Sequence, residues 1–119
     1  MELLIYNSAY VEDDALQNFR NFQYALNMRH LASDLLDKGL RPEQIATAFT
    51  LAISIAEASG LQVEKHFMPV YSAIDRQIIQ DCKLSHLGYG LVLMNADLNA
   101  AVVREFQIGV LTNYLNEIF

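Results

Sequence analysis

The stretch PEQIATAFTLAISIAEASG, residues 42–60, constrains the chain more than any other. Pro42 suits a first helical turn, where its missing amide hydrogen would have no intrahelical partner anyway. Gly60 supplies a stop. Between them Ile45, Ala48, Phe49, Ala52, Ile53 and Ala56 recur at helical spacing, so one face must be buried. The opposite stripe of Glu43, Thr47, Thr50, Ser54 and Glu57 is narrow and mostly uncharged. The spacing predicts a helix covered on most sides. Its uncharged portion, residues 45–56, is only about half of the ~20 apolar residues that a membrane span needs. A buried helix of a globular domain is the expectation, with no membrane contact.

The flanking segments extend this pattern. Leu16, Phe19, Phe22 and Leu26, then Ala25, Met28, Ala32 and Leu35, keep helical spacing up to Lys38, where Gly39 provides a left-handed stop. Asp13 or Asp14 can cap the start. One long helix over 13–38 and two helices bent near Asn27 both satisfy the spacing. Ahead of it, ELLIY at residues 2–6 has the composition of an edge strand. Downstream, Pro69 breaks any helix, and PVYSAI and QIIQDCKL flank Asp75-Arg76 with strand-like composition. A β-hairpin or wing around residues 66–83 follows.

KLSHLGYGLVLMNAD, residues 83–97, places two glycines in an apolar run. A phosphate cradle sets its glycines ahead of a helix and adds a lysine; that frame is missing. Ser85 instead reads as an N-cap. Gly88 and Gly90 then mark close backbone approach in a packed helix, at a cost of about 1 kcal/mol each relative to alanine. A final helix is expected, capped by Asp97 or Asn99. Its Val103, Phe106, Val110, Leu111, Tyr114, Leu115 and Ile118 form a core or dimer stripe. The fold expected is mainly α (α+β): a single domain, residues 1–119, of about four helices with a small hairpin.

Composition narrows the function. The chain is 53% hydrophobic with a mean hydropathy of +0.16, an apolar surplus that points to a homo-oligomeric or partner interface. Net charge is −6, from eight basic and 14 acidic residues. The cations are scattered, which weighs against the basic face of a duplex binder. Cys82, the single cysteine, has no partner for an internal disulfide, and Met1-Glu2 opens without a basic signal region. A cytoplasmic protein is expected.

Candidate chemistry is sparse. Cys82 and His86, with Asp81 beside them, offer too few ligands for a structural zinc site. Cys82 as a nucleophile would need a lowered pKa, for which Lys83 and the following helix start are the candidates. Glu12, Asp13 and Asp14 are explained by a helix dipole. Phe19, Phe22 and Tyr24, near Arg20 and Arg29, have core spacing rather than that of a base-stacking platform. Tyr6, Tyr10 and Tyr71 lie off the main stripes and are candidates for a partner-facing surface. No catalytic residue, metal or cofactor is expected.

SGLQVEKHFMPV, followed by DCKLSHLGYGLVLMNAD, resembles the domain shared by phage antirepressor (BRO-like) proteins and the bacterial DNA-damage-inducible protein D family. The matching positions are His66, Phe67, Asp81, Leu84, Ser85, Asn95 and Asp97, and the resemblance covers residues 58–119. It implies a small phage- or stress-linked regulator. The combined expectation is an acidic, non-enzymatic regulatory or interaction protein that binds another protein. The alternative is a winged-helix-like DNA-binding transcriptional regulator. In that reading Arg41, Lys65, Arg76 and Lys83 touch phosphate and the helix led by RPEQIATAF enters a groove.

Overall fold

The structure, a computed structural model, describes the backbone of residues 11–119 and the side chains of residues 15–119. The ELLIY segment, Tyr6, Tyr10 and the side chains of Glu12, Asp13 and Asp14 lie outside what it describes. Among the described residues there are four α-helices: α1 (Val11–Leu26), α2 (Pro42–Ala58), α3 (His86–Met94) and α4 (Ala101–Ile118). Three strands, β1 (His30–Leu31), β2 (Phe67–Ile74) and β3 (Gln77–Leu84), form one antiparallel sheet in the order β1-β3-β2. The fold is thus mainly helical with a small hairpin.

The hairpin turns at Asp75-Arg76, both with positive φ, 51° and 65°. Such a two-residue turn matches the right-handed twist of its strands. It sets the register down to Phe67 opposite Leu84. Pro69, which cannot donate to a ladder, sits on the edge strand β2, where that is tolerated.

The core lies between α2, α3, the hairpin base and a 3-10 segment (Ala32–Lys38). Leu35, Leu84, Leu93, Val92 and Val103 are fully buried there, each contributing about 1.5–3 kcal/mol. Ala48, Ala52 and Ala56 are buried one turn apart on α2, and their small side chains let α3 come close. Phe49 meets Phe67 edge to face, centroids 5.4 Å apart. Polar side chains fasten the helix ends. Ser85 Oγ accepts from Gly88 N at 3.0 Å. The Gln107 amide donates to Leu93 O and Met94 O at the end of α3, where helix carbonyls lack intrahelical partners.

Of the two readings of residues 13–38, the break near Asn27 is the one found: α1 ends at Leu26, and after β1 the chain continues as the 3-10 segment, stopped by Gly39 at φ 96°. Three expectations need correction. Phe19 and Phe22 are not core; they are 59% and 61% exposed. The α2 helix is covered on one side only, for Thr47, Thr50, Leu51, Ser54 and Ile55 are exposed. Neither Asp97 nor Asn99 caps α4, whose N-cap is Ala100 without a side-chain bond. Asp97 instead accepts from Asn99 N and from the Gln44 amide, both at 2.8 Å, tying the α3–α4 loop to the start of α2.

Candidate functional site

Between α2 and the hairpin runs an apolar groove of about 600 Å³, lined by Leu36, Ile45, Phe49, Ile79, Asp81 and Cys82 among others. It continues into a smaller hollow of about 410 Å³ along Pro69, Val70 and Tyr71. Of the tyrosines expected on a partner surface, Tyr71 is therefore placed at a groove edge, 46% exposed.

The charged group in the groove is already satisfied. Asp81 Oδ1 accepts from Ser33 N at 3.0 Å and Cys82 N at 2.8 Å, while Oδ2 accepts from the Ser33 and Ser72 hydroxyls. Burial pushes this carboxyl upward, but the hydrogen bonds from Ser33, Ser72 and Cys82 outweigh it and hold the group below its ordinary value. With both oxygens doubly engaged, Asp81 clamps β3 to β2 and to the 3-10 segment. Its neighbour Cys82 is buried, and burial pushes the thiol up to about 12. A thiol so buried and protonated is a poor nucleophile at neutral pH. His86 is exposed and faces His30, not Cys82.

A second polar cluster joins β1 to α3. His30 Nε2 lies 2.9 Å from His86 Nδ1, and the His30 ring stacks on Tyr89 at 4.2 Å. Burial lowers the His30 pKa and His86 lowers it further, against an opposing pull from Asp34. Burial and then Asp34 raise that of Tyr89. Close by, His66 Nδ1 is 2.7 Å from Ser85 Oγ, and Ser85 N donates to His66 O at 3.1 Å. The positions carrying the antirepressor resemblance are thus fastened to neighbouring elements. His66 binds Ser85, Phe67 pairs with Leu84, Asp81 binds Ser33 and Ser72, and Asp97 binds Gln44. Asn95 bonds back to Leu91 O.

The four cations of the DNA reading do not converge. Arg41 precedes α2 and reaches Glu43 at 3.5 Å. Lys65 belongs to a short 3-10 turn (Val63–Lys65) and lies over the Tyr24 ring, 5.8 Å from its centroid. Arg76 is at the hairpin tip, while Lys83 is near the other end of β3. Those two are seven residue steps apart along the strand, roughly 24 Å at ~3.4 Å per residue.

Sequence periodicity missed the Asp81 clamp and the histidine pair. Part of the clamp was legible: a turn at Asp75-Arg76 sets the register and places Ser72 and Asp81 diagonally on one sheet face. Nothing in the sequence signals Ser33 or His30, which arrive through tertiary contacts.

Among the described residues, α1 and α4 present exposed apolar faces. On α1, Leu16, Phe19, Phe22 and Leu26 are 58–64% exposed. On α4 every residue from Ile108 to Phe119 is exposed. Among the described residues no helix is long and apolar enough to cross a membrane. Nor do three His, Cys, Asp or Glu side chains gather there as metal ligands. No protein-family model, curated protein or solved structure matches the chain.

Proposed function

We propose that this protein is a non-enzymatic regulatory module of the cytoplasm that forms homo-oligomers and acts by binding another protein through the outward face of α1. The observation that carries this reading is the row Leu16, Phe19, Phe22 and Leu26, each more than half exposed. Phe19, Phe22 and Leu26 have the i, i+3, i+7 spacing of a helix that docks into an apolar groove. Aromatic anchors of this kind dominate the energetics of such interfaces. The inner side of α1 rests on the body through Tyr24 and the Val63–Lys65 turn, which leaves the outer side free to be covered. The antirepressor resemblance supports a phage- or stress-linked setting. The engagement of Asp81, Cys82, His66 and Ser85 in the fold supports the absence of catalysis.

The test is photo-crosslinking in cells from a reactive residue placed at Gln23, beside this face. The expected result is a discrete adduct with a second protein that disappears when Phe19 and Phe22 are replaced by serine. An adduct indifferent to that change would refute the assignment of α1.

The DNA-binding alternative has one observation in its favour, the exposure of Thr47, Thr50 and Ser54 on α2. Against it, α2 carries no lysine or arginine, and the Thr47 and Thr50 hydroxyls donate to Glu43 O and Ala46 O of their own helix. No anisotropy change with labelled duplex DNA is expected at about 50 mM salt, where phosphate contacts are strongest. Binding that weakens steeply by about 200 mM would restore the alternative.

A further inference from the structure

We infer that the outer half of α4 is the surface on which two copies of this chain pair, helix against helix, in the manner of a short two-stranded coiled coil. This rests on the homo-oligomeric part of the reading above and names the element responsible.

The seam is written in the spacing. Ile108, Leu111, Leu115 and Ile118 are separated by three, four and three residues, the a/d alternation of a coiled coil. Such a seam is narrow and complementary to another of its kind. All four side chains are 38–64% exposed. The inner half of α4 behaves differently: Val103 is buried and Phe106 packs against the core. The helix thus leaves the body after its second turn.

Three further observations favour a second copy. The first is charge. At a net −6 two copies repel one another over most of their surface. From Phe106 to Phe119, however, the sole charged residue is Glu117. In the frame set by the seam Glu117 falls at an outer c position, and the e and g positions hold Gln107, Thr112, Tyr114 and Phe119. Nothing there opposes an identical partner, and nothing would select a charged one.

The second is area. At ordinary residue areas, the four seam side chains with Tyr114 and Phe119 at the flanking g and e positions expose roughly 800 Å², about what each member of a standard interface buries. The third is helicity itself. In proteins a helix is stabilised mostly by packing of an apolar face, yet residues 108–118 are helical with every residue more than a third exposed. Pairing supplies the missing burial.

Analytical ultracentrifugation of the 119-residue chain, combined with far-ultraviolet circular dichroism on the same dilution series, tests this. The expected species at tens of micromolar has twice the 13.5 kDa chain mass. On dilution, monomer appears together with a loss of helical signal equivalent to the last three turns of α4. The double change Leu111→Gln with Leu115→Gln is expected to yield monomer at every concentration while the body keeps its thermal transition. Phe19→Ser with Phe22→Ser, which blocks the proposed partner face on α1, is expected to leave the dimer intact. A wild-type monomer throughout, a larger assembly, or a dimer that survives the α4 change would overturn the inference. The α1 reading would stand or fall separately on its own crosslink.

Discussion

Replacing Gly88 with alanine will lower the melting temperature by roughly 4–12 °C, although the same change in most helices is stabilising. In a free helix alanine is favoured over glycine by about 1 kcal/mol. At this position an added Cβ would lie 2.5 Å from His66 O and 3.3 Å from His66 C. Both are backbone atoms, held where Ser85 N donates to His66 O. Neither can swing aside as a side-chain tip would. Relief requires α3 to shift away from the base of β2, which separates Val92 and Leu93 from their core partners. Overpacking of this kind costs about 1–3 kcal/mol and sometimes more, and each kcal/mol moves the transition of a domain this size by roughly 4 °C or more. Gly88→Val should be worse. Gly90→Ala is the control: its Cβ would meet the ring tip of Phe106 at 3.3 Å, which can yield, so a change of less than about 1 kcal/mol is expected. Thermal unfolding of the three variants checks the order. Equal effects at the two glycines would show that the close approach at Gly88 is not what limits that site.

Asp81→Ala will destabilise the fold by about 2–3 kcal/mol and detach the 3-10 segment from the sheet. The substitution strands the donors of Ser33, Ser72 and Cys82. A hydrogen bond to a charged group is worth about 1.5–3 kcal/mol, but at this half-buried site water replaces part of the loss. Asp81→Asn is expected to be milder, since its carbonyl oxygen still accepts and its amide can donate to a serine hydroxyl. The pH dependence separates the variants further. Asp81 is held below its ordinary pKa of 3.8, so the unfolded chain takes up this proton before the folded one. Its contribution is complete above pH 3.8 and is lost as the pH falls below that value through the lower folded pKa. Chemical denaturation between pH 3 and 6 should show a stability difference between wild type and Asp81→Asn that narrows toward the acid end. A difference independent of pH would mean that the carboxylate's charge contributes nothing.

Several parts of this architecture are legible in the sequence alone. Pro42 and Gly60 bracketed α2, Ser85 marked the start of α3, and Pro69 with Asp75-Arg76 marked the hairpin. Each acts through its own backbone: a fixed φ, a missing donor, a side-chain oxygen aimed two or three residues ahead. Such effects are local and depend little on the rest of the fold. The glycines of α3 belong to the same class, because a costly residue in a helix implies a neighbour that needs the space.

What covers each apolar face was beyond the sequence. Leu16, Phe19 and Phe22 repeat as regularly as Ile45, Ala48 and Ala52, yet the first set faces outward and the second is core. Helical periodicity states that a face should be buried, not against what. The break after Leu26 follows from tertiary pairing: residues 30–31 join β3 as a short strand, and that contact outweighs a helical preference worth only tenths of a kcal/mol per residue. The same holds for the polar centres. Asp81 is bonded by Ser33, 48 residues away, and His86 by His30, 56 residues away. A chain's local chemistry determines where its elements start and stop. Only the tertiary packing of those elements decided that, among the described residues, α1 and α4 keep apolar faces exposed, the faces on which the proposed binding function rests.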